Sequence, residues 1–415
     1  MKIDKKEVSG ILIAIGMMIG IGIVTILLGK SLTGDKKEYV KHTAGNLTEG
    51  NIAKDQVTVW YYDESFTDYF KECEKVYREK YGVSLQYINV REEDYLESIN
   101  ECSIDKEDAP DVYIMDSTML EKAALAGLTR ENRNDATFND KAFSKTAITA
   151  ATYKGHLEAY PMNFDTGFIL YNTAYVANAP ATFDDIINFS NTMDESVSGK
   201  IENVLFWDVK DLMYNYGFAG GYIEYGGKNG DDATVKNISG DSLKAALGYY
   251  ANLNQIFAVD IGTSYENVLK KFAAGKAAFI IAKTDSIKAL EEDDCVSYGV
   301  GAFPDLNADL KSKSLAVTNL AVVNPYGNNS SEADRLAKFI SYDMAELMYE
   351  TTGKLSARVD LEYDNEQLYN ILGQYEKSTN LPKVLEAGDF GAKLEVALNM
   401  IWQGGDIDTA VAALQ

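Results

Sequence analysis

The chain has 415 residues, 46% hydrophobic and 25% charged, with a formal net charge of −24 from 63 acidic against 39 basic residues. That charge repels phosphate backbones and excludes nucleic acid as a partner, while the length leaves room for two ordinary domains. Two histidines, His42 and His156, and three scattered cysteines, Cys73, Cys102 and Cys295, give no basis for a multi-His metal site, a zinc site or a disulfide framework.

From Gly10 to Gly29 the chain runs 20 residues without a charge, which at ~1.5 Å per helical residue matches a bilayer core of about 30 Å. No small-x-small cleavage site closes the run and no cysteine follows to accept a lipid, so residues 1–30 are expected to be an uncleaved signal anchor. Lys2, Lys5 and Lys6 before the run are matched by Lys30, Lys36, Lys37 and Lys41 after it, and charge leaves the orientation open. Residues 31–55, rich in Lys, Gly, Thr, Asn and Asp without apolar period, read as a flexible spacer.

Beyond the spacer, strand-like runs alternate with amphipathic helical stretches, the pattern of an α/β fold with mostly parallel sheets. Val57–Tyr62 reads as a strand leading into Asp63-Glu64-Ser65. A helix follows, with Phe66, Phe70, Cys73 and Tyr77 at helical spacing, so that Cys73 is expected as a small buried hydrophobe, with a Cys73–Cys102 bridge left open. Val83–Val90 is a second strand, a helix surrounds Tyr95–Ile99, and Asp111–Asp116 is a third strand whose Asp116-Ser117-Thr118 caps a helix over Leu120–Leu125. Ligands in such sheets bind beyond the carboxyl ends of strands, which nominates Asp63, Glu64 and Asp116. Strands over Glu158–Met162 and Gly167–Tyr171 flank Asn163-Phe164-Asp165-Thr166, expected as a connection between lobes. A second α/β unit then fills the chain to about Ser314, with a glycine-rich stretch over Gly217–Gly230 and an apolar strand over Phe279–Ala282. Glu291-Glu292-Asp293-Asp294 reads as a solvated loop. Asp305, Asn307 and Asp309 imitate the start of a calcium loop, but Leu310 and Ala316 stand where glycine and glutamate are required, so neither a metal nor another cofactor is expected.

Several segments, in order, resemble the extracellular solute-binding proteins (family 1) of the maltose and oligosaccharide importers. They are Val57-Thr58-Val59-Trp60, Ala109-Pro110-Asp111-Val112-Tyr113, Ala126-Gly127-Leu128, Tyr160-Pro161 with Leu170-Tyr171-Asn172, Gly220-Gly221-Tyr222, the run from Lys271 to Phe279, and Gly299-Val300-Gly301-Ala302-Phe303-Pro304. The resemblance implies a two-lobed periplasmic-binding-protein fold of the Venus-flytrap, type II kind. Residues 56–162 plus 317–360 would form one lobe and 163–316 plus 361–415 the other, closing on ligand by hinge motion. It further implies a soluble part outside the cell, tethered by the N-terminal helix, that binds a carbohydrate and delivers it to the permease subunits of an ABC transporter rather than acting as an enzyme.

By family position Asp165, with Phe164 beside it, falls where maltose-type members carry an acidic sugar-binding residue, and Glu64 falls near another. Trp207 and Asp208 precede Gly220-Gly221-Tyr222 in a segment that contributes ligand contacts, and Phe390 is the aromatic nearest the C-terminal stacking position. Asp165 and Glu64 equally suit capping, and Trp207 equally suits a core. Met115 stands where a stacking tryptophan is expected, and Ala282-Lys283-Thr284-Asp285 lacks the next one, which puts maltodextrin specificity in question. Polyamine or peptide binding, a sensor or surface scaffold, and a carboxylate glycosidase are the alternative readings.

Overall fold

The computed structural model describes residues 56–414 apart from 92, 106, 107, 294 and 295, so the expected anchor and spacer lie outside the described residues. Among the described residues no helix is long and apolar enough to cross a membrane. The β-branched and aromatic run Gln56–Tyr61 forms β1, buried along almost its whole length because it lies between β2 (Ser84–Asn89) and β3 (Val112–Asp116), both parallel to it. The helix Thr67–Tyr81 covers this sheet with Phe70, Cys73 and Tyr77 turned inward, and it stops at Gly82, whose φ of 70° is the left-handed conformation glycine adopts without a Cβ penalty. Cys73 is buried, as its spacing suggests; it and Cys102 are separate thiols.

The other strands of the two larger sheets are β4 (Tyr160–Thr166), β5 (Phe168–Asn172), β6 (Asn203–Phe206), β7 (Ala277–Ala282), β8 (Tyr298–Gly301), β9 (Leu315–Val323), β10 (Leu355–Ser356) and β11 (Thr379–Asn380). One sheet has the order β10-β4-β9-β3-β1-β2, with β11 paired to the start of β9; the other has the order β8-β5-β7-β6. The sheets are mixed rather than mostly parallel. β9 runs antiparallel to both β3 and β4, and in the second sheet β6 and β7 alone are parallel. The reason is the chain's path: β5 and β9 each enter their sheet from the edge facing the other lobe, against the direction of the strands that end there.

Asn163–Thr166, expected as a connection, are strand residues, pairing with β9 on one side and, at Asn163 and Phe164, with β10 on the other. Their alternation is real but divided between chemistries. Phe164 and Thr166 share one face, where Phe164 stacks on Tyr375 at 3.8 Å and 9° and the Thr166 hydroxyl reaches Ser378, while Asn163 and Asp165 share the other. The chain passes to the second sheet at Gly167. Three passages are bonded together there: Thr166 Oγ1 donates to the Leu315 carbonyl (2.8 Å), Ser314 Oγ donates to the Gly167 carbonyl (2.9 Å), and Thr379 N–H donates to the Ser314 carbonyl (2.9 Å). Between β10 and β11 the helix Gln367–Lys377 lies against β8, its Gln367 and Gln374 side chains accepting the N–H groups of Val300 and Phe303.

The glycine-rich stretch has a packing reason. A Cβ on Gly217 would sit 2.5 Å from the Phe303 ring, and one on Gly220 would meet the Tyr216 ring at 2.3 Å and the Lys313 carbonyl at 2.4 Å, so these glycines let the segment returning to the first lobe lie directly on the second. Gly220→Ala is expected to cost about 1–3 kcal/mol through overpacking, read as a lower denaturation midpoint at unchanged slope; an unshifted midpoint would contradict this account. The acidic run begins inside the helix Ser286–Asp293 rather than in a loop, because Glu291 gains two partners there, the Tyr349 hydroxyl (2.7 Å) and the Asn365 amide (2.6 Å). In the segment that imitates a calcium loop, Asn307 Oδ1 instead accepts the N–H groups of Asp309 and Leu310, closing a turn.

Candidate functional site

The carboxyl ends of β1 and β4 meet the end of β7 at a cleft. One pocket in it, of about 350 Å³, is lined by Glu64, Ser65 and Asp68 after β1, by Asp285 and Lys288 after β7, and by Thr351–Gly353. At its edge Asp63 caps the turn of Glu64–Phe66, Oδ1 accepting the Ser65 N–H at 2.9 Å, while Oδ2 lies 3.1 Å from the Lys354 ammonium. Asp116 does the same at the end of β3, accepting the Thr118 N–H at 2.8 Å and the Tyr62 hydroxyl at 3.3 Å.

Asp165 joins the two sheets. Its Oδ1 accepts the Thr284 N–H at 2.9 Å, the Thr284 hydroxyl at 2.6 Å and the Thr166 N–H at 3.1 Å. Lys283 lies between two acids, 3.1 Å from Asp285 Oδ2 and 3.7 Å from Asp165 Oδ2, with its charge 5.6 Å from the centre of the Tyr265 ring. Tyr265 donates its hydroxyl to Asp285 Oδ1 at 3.3 Å and stacks on Tyr214 at 4.9 Å.

Charges dominate this region. Burial alone would lower the Lys283 ammonium, but the Asp165 and Asp285 carboxylates outweigh it and hold the group above its ordinary value. Burial and then the charge of Asp165 push the Asp285 carboxyl up, with Lys283 and Lys354 opposing in part. Burial raises Asp63, yet the Lys354 charge and the Ser65 bonds carry it below the usual carboxylate value. The Tyr214 phenol is driven up by burial and by its neighbours Tyr265, Asp165, Asp211 and Asp285. These groups set hydrogen-bond donors, acceptors and charge at the junction of the two sheets.

The model of the bacterial extracellular solute-binding protein family matches residues 68–366. The chain belongs to this family. It is similar to the maltodextrin-binding protein MdxE of Bacillus subtilis (strain 168), 24% identical over 266 residues covering 60% of this chain and 63% of the relative, so it spans less than two-thirds of that curated relative's length. Among solved structures, an extracellular solute-binding protein of Staphylococcus aureus in complex with maltose superimposes with a TM-score of 0.72 at 19% identity, covering 87% of this chain and 96% of that one. A cyclo/maltodextrin-binding protein complexed with maltotetraose gives 0.73 at 17% identity over 89% and 97%. The maltose-binding protein MalE of Listeria monocytogenes, in complex with maltose, gives 0.70 at 20% identity over 86% and 96%. At these identities the likeness establishes the two-lobed fold.

Within this solute-binding protein, Asp63 and Glu64 follow the end of β1 beside the pocket, Asp165 meets Thr284 past the end of β7, and Asp116 ends β3. Asp208 lies half-buried after β6 and closes a turn onto the Lys210 and Asp211 N–H groups. Phe164 is buried on the face of β4 opposite Asp165. Trp207 is buried beside Trp402, its Nε1–H donated to Asn215 Oδ1 at 2.9 Å. Phe390 packs edge-on against Tyr225 at 5.1 Å and lines a different groove, of about 370 Å³, with Lys236 and Lys393. Sequence reasoning passed over Lys283, Asp285, Asp211 and Lys354. Lys283 and Asp285 follow the end of β7 directly, so the strand-end rule that nominated Asp63 and Asp116 applies to them equally.

Proposed function

We propose that this solute-binding protein captures an oligosaccharide outside the cell and hands it to the permease of an ABC importer, without chemical turnover, with residues 1–30 as its membrane anchor. The lobes would be residues 56–162 plus 317–360 and 163–316 plus 361–415, closing by hinge motion. The observation that carries the reading is the junction at Asp165, where a carboxylate on β4 of the first sheet accepts donors from Thr284, just past the end of β7 of the second. The solved relatives whose complexes contain maltose and maltotetraose support a saccharide as the class of ligand.

Asp63, Glu64, Asp116, Asp165 and Asp208 are the proposed ligand-facing residues, with Phe164 and Trp207 as buried supports behind Asp165 and Asp208. The peripheral groove at Phe390 lies apart from this set.

Calorimetric titration of neutral and amino oligosaccharides beside free amino acids and polyamines tests the reading. Binding by a saccharide of either charge is the expected result; heat from amino acids or polyamines alone would overturn it. Asp165→Ala is expected to lower saccharide affinity about five- to 150-fold, the equivalent of roughly 1–3 kcal/mol for donors left unpaired. Unchanged affinity with a lowered melting point would make Asp165 a purely structural lobe contact.

A further inference from the structure

Four carboxylates, Asp63, Asp165, Asp211 and Asp285, face two ammonium groups, Lys283 and Lys354, and among the described residues no group of acids is arranged to hold a metal ion. An independent polar feature lies beside them. Asn163 is 1% exposed, and neither Oδ1 nor Nδ2 finds a hydrogen-bond partner among the described residues. Strand alternation puts it on the same face of β4 as Asp165, and register sets it in a row with Ser356, Asn319 and Asp116 across the sheet. The buried hydroxyl of Ser117, next to Asp116, is likewise without a partner among the described residues. A buried amide left unpaired is costly, which marks this as the place where a ligand supplies both a donor and an acceptor. Meanwhile all three tryptophans are 2% exposed or less, so no indole face is offered to an uncharged sugar ring.

We propose that the ligand of this cleft is a saccharide bearing a protonated amino group, its ammonium held between Asp165 and Asp285 and an adjoining hydroxyl held by the Asn163 amide. This rests on the saccharide reading above. Lys283 stands at that ammonium position, paired with both carboxylates. Its partly exposed four-carbon stem can swing aside, and the arriving cation then makes charge-assisted hydrogen bonds to the carboxylates it leaves. A neutral sugar placed there would strip water from the carboxylates without neutralising them.

The test titrates the full chain calorimetrically with a glucosamine trimer, its N-acetylated counterpart, maltotriose and 1,3-diaminopropane, at low and high salt. The glucosamine trimer is expected to bind about tenfold or more tighter than either neutral trimer, as charge-assisted hydrogen bonds warrant, and to lose that margin in high salt. Asp285→Asn should bring the charged and neutral trimers to within about threefold of each other. Equal or tighter binding of maltotriose or the acetylated trimer by the unmodified chain overturns the amine inference and leaves the saccharide reading standing. Binding of the diamine with no saccharide bound, or no binding at all, removes both.

Discussion

Replacing Trp402 with alanine is expected to lower the stability of the protein by about 3–5 kcal/mol, the range for deleting a buried aromatic that its neighbours cannot collapse around. The indole ends the helix Ala387–Trp402 and is 2% exposed. It stands edge-on to Trp207 at 5.0 Å and 72° and lies 5.0 Å from Tyr250, so two large side chains lose a common partner. Its Nε1–H also donates to the Val259 carbonyl at 2.9 Å, which the substitution leaves unpaired inside the lobe. Equilibrium unfolding in denaturant measures the effect, and a loss under about 1 kcal/mol would mean that this cluster does not hold the second lobe together.

The second large effect is a pH dependence centred on Lys383. Its side chain is 2% exposed and donates to the carbonyls of Thr149 and Thr152, both at 2.6 Å, while its backbone N–H donates to the Gly230 carbonyl at 2.6 Å. It thereby ties the helix Lys145–Ala151 to the loop that follows Tyr225. Burial pulls the ammonium from 10.5 to about 8, with Asp231 pushing the other way.

Below pH about 8 both folded and unfolded chains carry the proton, and the folded state bears the full cost of a buried charge. As pH rises from about 8 towards 10.5 the folded protein releases that proton while the unfolded chain keeps it, so stability rises. The gain amounts to on the order of 3 kcal/mol over the full window. The Cys73 thiol and many tyrosines, pushed up by burial, act in the opposite sense above pH about 9. The informative quantity is therefore the stability difference between the parent chain and Lys383→Met from pH 7 to 10, in which those contributions cancel. The difference should move in the parent's favour as pH rises; a flat difference would show that Lys383 does not titrate in this range.

Much of the first lobe was legible residue by residue. The spacing of Phe70, Cys73 and Tyr77 located a helix and its inward face, the apolar run before Tyr62 located β1, and Asp116 was recognisable as a cap, whereas the cap after β1 is Asp63 rather than the Glu64 that the sequence suggested. Asn163–Thr166 was harder to read because half of its alternating pattern is polar on the cleft side, which hides a strand from rules based on apolar period. Glu291 looked like loop because an acidic run normally seeks water, and only Tyr349 and Asn365, arriving from elsewhere in the chain, make the helical position favourable.

The sequence by itself determined the α/β alternation, the family and the strand ends at which Asp63 and Asp116 stand, because periodicity, capping and motif order are written in neighbouring residues. Only the tertiary structure decided that Trp207 packs beside Trp402, that Phe390 lines a separate groove, and that Lys283 is shared between Asp165 and Asp285. Asp165 and Thr284 meet across a sequence separation of 119 residues, through a strand that leaves one sheet and another that ends in the next. Local rules place each group at an end of its own strand; which ends face one another, and which charges therefore pair or repel, is set by the passages of the chain between the lobes.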